Sequence, residues 1–361
     1  MTRVAVLMGG ESRERDVSRV TGTAVAKALA ERGFDVMLLD TRDGLLRLDA
    51  APVQRIGERP PGEEPGDRRP VAAGESAGAD RNLLPGGIPG LAEVDVVFVA
   101  LHGGWGEDGT VQATFEMMGI PYTGSGVLAS ALAMDKERAK RMMRDAGIAT
   151  PAWALLDVAP GSAPADADLA RVSRDLPGRL VVKPNAEGST VGLTVVDRPE
   201  DLRAAVETAA RFDRRVLIEE YVAGRELTVA VLGGETLPIV EIVPQGGIYT
   251  YEAKYTQGKS RYEVPAALPD ELAAAVQHAS RRVFDLLGCE GYARVDWRLR
   301  DDGTFLCLEV NTVPGMTPLS LVPMAARAAG IEFGELLERI VRLGEGRTLR
   351  RPRRRAAGAG A

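Results

Sequence analysis

Apolar and polar positions alternate most regularly near the C-terminal end of the chain. Residues 292–300 (Tyr-Ala-Arg-Val-Asp-Trp-Arg-Leu-Arg) and 304–311 (Thr-Phe-Leu-Cys-Leu-Glu-Val-Asn) both run with a period of two. That period marks strands with one buried face. Between them lies Asp302-Gly303, a strong short-range hairpin signal. A two-residue turn there sets Asp296 opposite Glu309 and Arg294 opposite Asn311. The other face then pairs Val295 with Val310, Trp297 with Leu308 and Leu299 with Leu306. That face is wholly apolar, and a one-residue slip would turn it to water. Two facing carboxylates repel unless a cation lies between them, and their hard oxygens suit Mg²⁺ or Mn²⁺. A solvated hairpin face with an incidental ion pair is the other reading.

The rest of the pattern predicts an α/β protein. Residues 4–8 read as a strand, 17–31 as a helix stopped by Gly33, and 36–39 as a second strand. Residues 94–101 form a continuous apolar run, as a buried parallel strand does. Helices follow at 111–118 and 127–146. Beyond them come strands at 180–183, 193–196 and 216–221, with a helix at 201–212. Strands at 227–232 and 236–243, a helix at 270–287, the hairpin and two terminal helices complete the chain. Residues 41–90 are rich in Pro, Gly, Arg and acids and read as a mobile surface insertion with too few apolar residues for a core.

Composition narrows the class. The chain has 361 residues, enough for two or three domains, and 45% of them are hydrophobic, which supports real cores. A net charge of −6 argues against general nucleic-acid binding. The exception is the Arg-rich tail at 350–355, which reads as a solvated, disordered end. Cys289 and Cys307 give neither a disulfide framework nor zinc spacing. The apolar start at 4–8 is too short for a signal peptide, and no run is long enough to span a membrane. A reducing cytoplasm fits these features.

Several loops carry candidate chemistry. Lys183 ends a strand and leads through Pro184-Asn185-Ala186-Glu187-Gly188-Ser189-Thr190-Val191-Gly192 into the next. Small residues with free backbone N–H groups after a lysine suit a phosphate chain, and also suit a plain hairpin loop. Glu219, Tyr221, Val222 and Glu226 surround the exit of another strand. Its backbone could pair with an adenine edge and its acids with ribose hydroxyls. An exposed acidic turn would look the same. Glu14 follows Gly9-Gly10-Glu11-Ser12-Arg13, which lacks the dinucleotide spacing, and it suits an ammonium or a helix cap. His102 opens the Gly-rich loop Gly103-Gly104-Trp105-Gly106-Glu107-Asp108-Gly109 at a strand end, either as a structural or as an active-site histidine. Lys254 and Tyr255 lie in a long loop before Pro265 that has the length of a lid.

Together these segments resemble the D-alanine–D-alanine ligases of the ATP-grasp superfamily. The likeness runs from Val4 to about Leu343 and rests on five segments in order. They are Gly-Gly-Glu-Ser-Arg-Glu-Arg-Asp-Val-Ser from Gly9, then 102–109, then Tyr122-Thr123-Gly124-Ser125-Gly126 with Met134-Asp135-Lys136, then 183–192, and Glu-Val-Asn-Thr-Val-Pro-Gly-Met-Thr from Glu309. The resemblance implies an ATP-grasp fold. A Rossmann-like α/β module (1–135, with the insertion at about 41–90) would precede two α+β modules (136–225 and 226–345) that sandwich ATP, followed by the tail at 346–361.

It also implies roles. Lys136, Lys183 and Lys254 would hold phosphates. Glu219, Tyr221, Val222 and Glu226 would hold adenine and ribose. Asp296, Glu309 and Asn311 would bind two Mg²⁺ or Mn²⁺ ions. Glu14 would grip the ammonium of the first D-alanine, with His102 nearby, and Ser189 and Tyr255 would link that loop to the lid. Arg294 and the Gly315 N–H would stabilise an oxyanion. Ser320 and Leu321 would bind the second carboxylate at a helix start. The implied partners are ATP and two D-alanines, with no nucleic acid or membrane, in a cytoplasmic homodimer that serves peptidoglycan precursor synthesis. Two other functions compete. One is a related carboxylate–amine ligase making D-alanyl-D-serine or D-alanyl-D-lactate. The other is a nucleotide-binding sensor without catalysis, disfavoured because Arg294, Asp296, Glu309 and Asn311 are all present. Glu252-Ala253-Lys254-Tyr255 matches the pattern of the dipeptide-forming members and favours an amine nucleophile.

Overall fold

The structure is a computed structural model and describes residues 1–41, 44–46, 91–159, 161–244 and 260–349. Most of the insertion, the segment with Lys254 and Tyr255, and the Arg-rich tail lie outside the described residues.

Three sheets carry the fold. The first has strands β1 (Arg3–Met8), β2 (Asp35–Asp40), β3 (Gly44–Leu46) and β4 (Val96–Val99), in the order β3-β2-β1-β4. β1 pairs in parallel with β2 and with β4, and all three are strongly apolar, as parallel strands covered on both faces require. Helix α1 (Arg15–Glu31) crosses from β1 to β2 and stops at Gly33, whose φ of 85° only glycine adopts freely. Helices α2 (Thr110–Met118), α3 (Val127–Met134) and α4 (Lys136–Asp145) follow.

The single helix expected over 127–146 is therefore two. Asp135 leaves helical geometry with ψ 87°, and its side chain accepts from the Arg138 N–H at the start of α4. An N-cap aspartate begins a new helix at the point where the pattern alone would continue the old one. The strand expected over 94–101 is shorter, at β4.

The second sheet is antiparallel. It has β5 (Trp153–Asp157), β6 (Leu180–Pro184), β7 (Thr194–Val196) and β8 (Arg215–Glu220), in the order β5-β8-β6-β7. Helices α5 (Asp166–Asp175) and α6 (Leu202–Ala210) accompany it, and Val172, Val182, Val206 and Ile218 are among its core residues.

The third sheet holds β9 (Arg225–Leu232), β10 (Glu235–Thr236), β11 (Val240–Pro244), β12 (Ser260–Glu263), β13 (Tyr292–Leu299) and β14 (Phe305–Asn311). Its order is β12-β11-β9-β13-β14, with β10 on β9. Helix α7 (Asp270–Leu286) backs it, and α8 (Leu321–Ala328) and α9 (Phe333–Glu345) are the last helices among the described residues. Those last helices return to the first sheet. Leu336, Leu337, Ile340 and Val341 share one core with Val4, Val6, Leu29 and Phe98. The loops after β1 and β4 are thus fixed near the loop after β14. Among the described residues, no helix is long and apolar enough to cross a membrane.

Candidate active site

The β13–β14 hairpin keeps its expected register only at the site end. Arg294 faces Asn311, Val295 faces Val310 and Asp296 faces Glu309. Beyond Asp296 the pairing shifts by one, so Trp297 faces Cys307 and Leu299 faces Phe305. Two features cause this. The turn spans Asp301, Asp302 and Gly303 rather than two residues, closed by the Arg300 N–H donating to Thr304 O at 2.8 Å, with Gly303 at φ 85°. A bulge at Leu308 then restores the count. The two offsets cancel, so the site pairs match the expectation. The apolar face does not. Cys307 and Phe305 join Trp297 against the core, while Leu308 turns into the cleft beside Glu309. Bulges commonly re-aim a side chain in this way next to active sites.

The cleft lies where the second and third sheets face each other. Its volume is about 1040 Å³, counting its open mouth. Lys136, Lys183, Glu219, Tyr221, Val222, Glu226, Arg294, Asp296 and Glu309 all line it. The structure thus brings side chains from Lys136 to Glu309 into one cleft.

On the β13–β14 side, Arg294 donates to both Asp296 oxygens, at 2.9 and 2.7 Å, and the Thr228 hydroxyl donates to Asp296 Oδ1 at 2.6 Å. Glu309 lies 3.6 Å from Lys136 Nζ. Asn311 Oδ1 accepts from the Val313 N–H at 3.0 Å, which orients its amide. Two facing carboxylates and an amide oxygen at one strand end fit hard divalent cations. Arg294 grips Asp296 here instead of pointing at a substrate carbonyl. A cation on Asp296 would compete with that grip.

Opposite these acids are two lysines. Lys136 starts α4 and donates to the Glu187 carbonyl at 2.7 Å. Its position is set by Asn185, whose side-chain oxygen accepts from the Glu137 N–H and whose amide donates to Asp135, both at 2.9 Å. Lys183, the penultimate residue of β6, lies 2.6 Å from one oxygen of the buried Glu219, while Lys140 lies 2.7 Å from the other. Burial opposes the charge on all three groups. The two ammonium groups outweigh it for Glu219, whose carboxyl is held below its usual range. Glu219 and Glu309 outweigh it for Lys183, whose pKa is raised. For Lys140, burial and the charge of Lys183 win, and its pKa is lowered. The family resemblance implies an adenine and ribose role for Glu219. Its carboxylate instead sits between two ammonium groups, so its first effect is on the lysines.

The far end of the cleft is mostly apolar, with Val181, Val222, Ile242 and Leu308 in its wall. Tyr221 lies under the Arg179 guanidinium, 4.1 Å from ring centroid to Cζ. Glu226 is held by Arg298 at 3.0 Å. The turn carrying Val222 and Glu226 is fixed at Gly224, with φ 124°, where a Cβ would come within 2.0 Å of the Leu299 carbonyl.

The first sheet supplies the other end. Glu14 sits at the N-terminus of α1 and accepts a hydrogen bond from the Ser189 hydroxyl of the β6–β7 loop. Ser189 and Thr190 have φ of 47° and 60°, left-handed geometry that non-glycine residues adopt at a cost of about 1–3 kcal/mol each. Such strain concentrates at ligand clamps. A Cβ on Gly103 or Gly188 would lie 2.8 Å from Glu14 Oε2, so both loops close tightly over this carboxylate.

His102 is buried close by. Its Nδ1 donates to the Val313 carbonyl at 3.0 Å, and its Nε2 is 3.1 Å from the Thr21 hydroxyl. Burial lowers its pKa, but Glu107, 3.6 Å away, together with Glu14 and the Val313 carbonyl, raises it overall above the ordinary histidine value. Glu107 was not singled out from the sequence, although it lies in the same Gly-rich loop. Burial, and then the charge of Glu14 against the opposing pull of His102, leave its carboxyl above the usual range. Lys140 was also missed. Nothing in its helical setting distinguishes it from a surface lysine.

The loop after β14 brings Gly315 beside Ser320, with only 3.2 Å between a hypothetical Gly315 Cβ and Ser320 Oγ. Ser320 precedes α8 without capping it. Its hydroxyl turns back to the Thr317 N–H at 3.0 Å, which leaves the first-turn N–H groups of α8 without a side-chain cap. Leu321 lines the cleft. Among the described residues no group of three or more His, Cys, Asp or Glu side chains clusters as a metal site, so any cation here depends on the mixed carboxylate–amide set.

Known proteins with this arrangement are plentiful. The family description "D-ala D-ala ligase C-terminus" matches residues 142–342, and "D-ala D-ala ligase N-terminus" matches residues 3–125. A D-alanine–D-alanine ligase of Syntrophotalea carbinolica is 44% identical over 94% of this chain and 95% of its own length. One of Bordetella petrii is 44% identical over 94% of this chain and 91% of its own. The crystal structure of D-alanine–D-alanine ligase from Bacillus anthracis complexed with ATP superposes with a TM-score of 0.73 at 31% identity, covering 95% of this chain and 97% of that one.

Proposed function

The chain belongs to the D-alanine–D-alanine ligase family, with the ATP-grasp fold, and we propose that it joins two D-alanines to D-alanyl-D-alanine while ATP is cleaved to ADP and phosphate. The product would serve peptidoglycan precursor synthesis in the cytoplasm. The observation that carries this reading is the shared cleft. Lysines, facing carboxylates and an arginine line one cavity, and Glu14 closes on the loop that borders it.

In this reading the adenine lies in the apolar wall of Val222 and Leu308, with Glu226 at the ribose. Lys136 and Lys183 hold the phosphates, and Lys254 would add a third charge from the lid. Asp296, Glu309 and Asn311 would hold two Mg²⁺ or Mn²⁺ ions, which supply neutralisation of charge on the transferring phosphoryl group. Glu14 holds the ammonium of the first D-alanine, and the buried His102–Glu107 pair fixes the loop around it. The carboxylate of that D-alanine is a poor electrophile until phosphorylated. The second D-alanine, its carboxylate at the Ser320–Leu321 helix start, then attacks the acyl phosphate as a free amine, forming the C–N bond as the C–O bond to phosphate breaks and the amine gives up a proton. Once a cation on Asp296 loosens its grip, Arg294 would turn with the Gly315 N–H to the developing oxyanion, where one well-placed donor contributes about 3–4 kcal/mol. Ser189 and Tyr255 would hold the lid shut and keep water from the acyl phosphate.

The test is phosphate release with ATP, Mg²⁺ and candidate nucleophiles. Release with D-alanine alone is the expected result. No release above the ATP-only blank sinks the reading. Release only when D-serine or D-lactate is added with D-alanine transfers it to the related ligases.

A further inference from the structure

Lys140 is fully buried on α4 and has no part in the roles above. A buried ammonium needs partners. Its Nζ lies 2.6 Å from the Thr150 hydroxyl, 2.7 Å from Glu219 Oε1 and 5.3 Å from the Trp153 ring centroid. Thr150 in turn donates to the Cys307 carbonyl of β14 at 2.9 Å, next to the bulge. The second Glu219 oxygen lies 2.6 Å from Lys183. One chain of polar contacts therefore runs from β14, the strand of Glu309, through Thr150, Lys140 and Glu219 to Lys183.

We propose that Lys140 is a positioning residue for ATP: it shares Glu219 with Lys183, so that Glu219 aims the Lys183 ammonium at the nucleotide phosphates without neutralising it. The proposal rests on Lys183 being a phosphate ligand. With Lys183 alone, Glu219 would cancel the charge it orients. With Lys140 on its other oxygen, the three groups keep one net positive charge. Thr150 adds register, because it ties this unit to the strand that carries the opposing carboxylate. Lys140 itself lies behind Glu219 and outside the cleft lining.

The test is a double-mutant cycle on ATP affinity, measured by calorimetry with Mg²⁺ and without D-alanine. Lys140→Met leaves Lys183 neutralised, and the ATP Kd should rise at least about tenfold, the scale of a lost charged hydrogen bond. The Michaelis constant for D-alanine should change less than about twofold, since Lys140 is remote from Glu14. Adding Glu219→Gln to Lys140→Met restores one net positive charge and should recover part of the lost affinity. If Lys140 only fills space, the double variant binds ATP more weakly than either single one, and the proposal is overturned. Should Lys140→Met alone fail to fold, the comparison is between the double variant and Glu219→Gln: because Lys140 acts through Glu219, removing it in that background should raise the ATP Kd by less than about threefold, and a rise of about tenfold or more overturns the proposal. Tight ATP binding by the unaltered chain with no phosphate release on adding D-alanine would count against the ligase reading, not against the role of Lys140.

Discussion

Replacing Asn185 by alanine should damage the phosphate site through a residue that does not line it. Asn185 is completely buried between β6 and the start of α4. Its side chain satisfies the Glu137 N–H and donates to Asp135, which also accepts from Arg215 and Arg138. Truncation leaves a buried helix-start N–H without a partner, at about 1–3 kcal/mol, and removes a charge-assisted bond of about 1.5–3 kcal/mol. The sum is about 2.5–6 kcal/mol. At about 2 °C per kcal/mol for a chain of this size, the melting temperature should fall by about 5–12 °C.

Lys136 begins the same helix turn, so its ammonium loses its fixed origin. The Michaelis constant for ATP should rise several-fold, and that for D-alanine should change less. The pH dependence carries a sign. Burial raises the Asp135 pKa, but Asn185, Arg215 and Arg138 outweigh it and hold it below the ordinary value. A lowered folded pKa stabilises above the unfolded value near 4, and that contribution is lost as pH falls through the folded pKa. The gap in stability between the unaltered chain and Asn185→Ala should therefore narrow below about pH 4. Differential scanning calorimetry across pH and steady-state kinetics test this. A melting temperature within about 2 °C of the unaltered chain, or an unchanged ATP constant, refutes the reasoning.

Three further outcomes follow from the site. Glu309→Gln should abolish turnover at ordinary Mg²⁺ and leave the far-UV circular dichroism spectrum unchanged, since Glu309 is a partly exposed strand-end residue; surviving activity would show that the carboxylate holds no essential cation. Gly224→Ala has no room for its Cβ and no favourable φ, so the β8–β9 turn must move at a cost above about 2 kcal/mol, read as a lower urea midpoint with weaker ATP binding; an unchanged midpoint would contradict the close approach. Ser189→Ala removes the hydroxyl bridge to Glu14 and should raise the D-alanine constant about tenfold with the ATP constant nearly unchanged, and a parallel rise in both would mean the loop itself had shifted.

The parts of the site legible in the sequence were those set by period and turn chemistry. Alternation alone aligned Asp296 with Glu309, although it reached that pairing through a turn one residue too short and a bulge it did not contain. Alternation cannot show a bulge, because bulging depends on what packs behind the strand, here the Trp297–Phe305 contact at 5.3 Å between ring centroids. The break at Asp135 was legible as a cap residue but was hidden in a long apolar run. Glu107 and Lys140 were invisible for another reason. Their importance comes from partners 5 to 79 positions away, at His102 and Glu219, and only the folded chain brings those charges into contact. The left-handed backbone at Ser189 is likewise a product of closure on Glu14.

The bulge at Leu308 also decides which side chains face the cleft. Strict alternation back from Glu309 would have pointed Cys307 into the cleft. The extra residue presents an inert aliphatic side chain there and sends the sulfur to the core, where it is fully buried and burial pushes its thiol pKa far above the usual range. A thiol facing this cleft would invite soft metal ions to compete with Mg²⁺ and would expose the centre to oxidants. One inserted residue thus separates redox-sensitive sulfur from the proposed hard-cation site on the same strand, so that keeping a thiol out of the cleft is a matter of strand geometry.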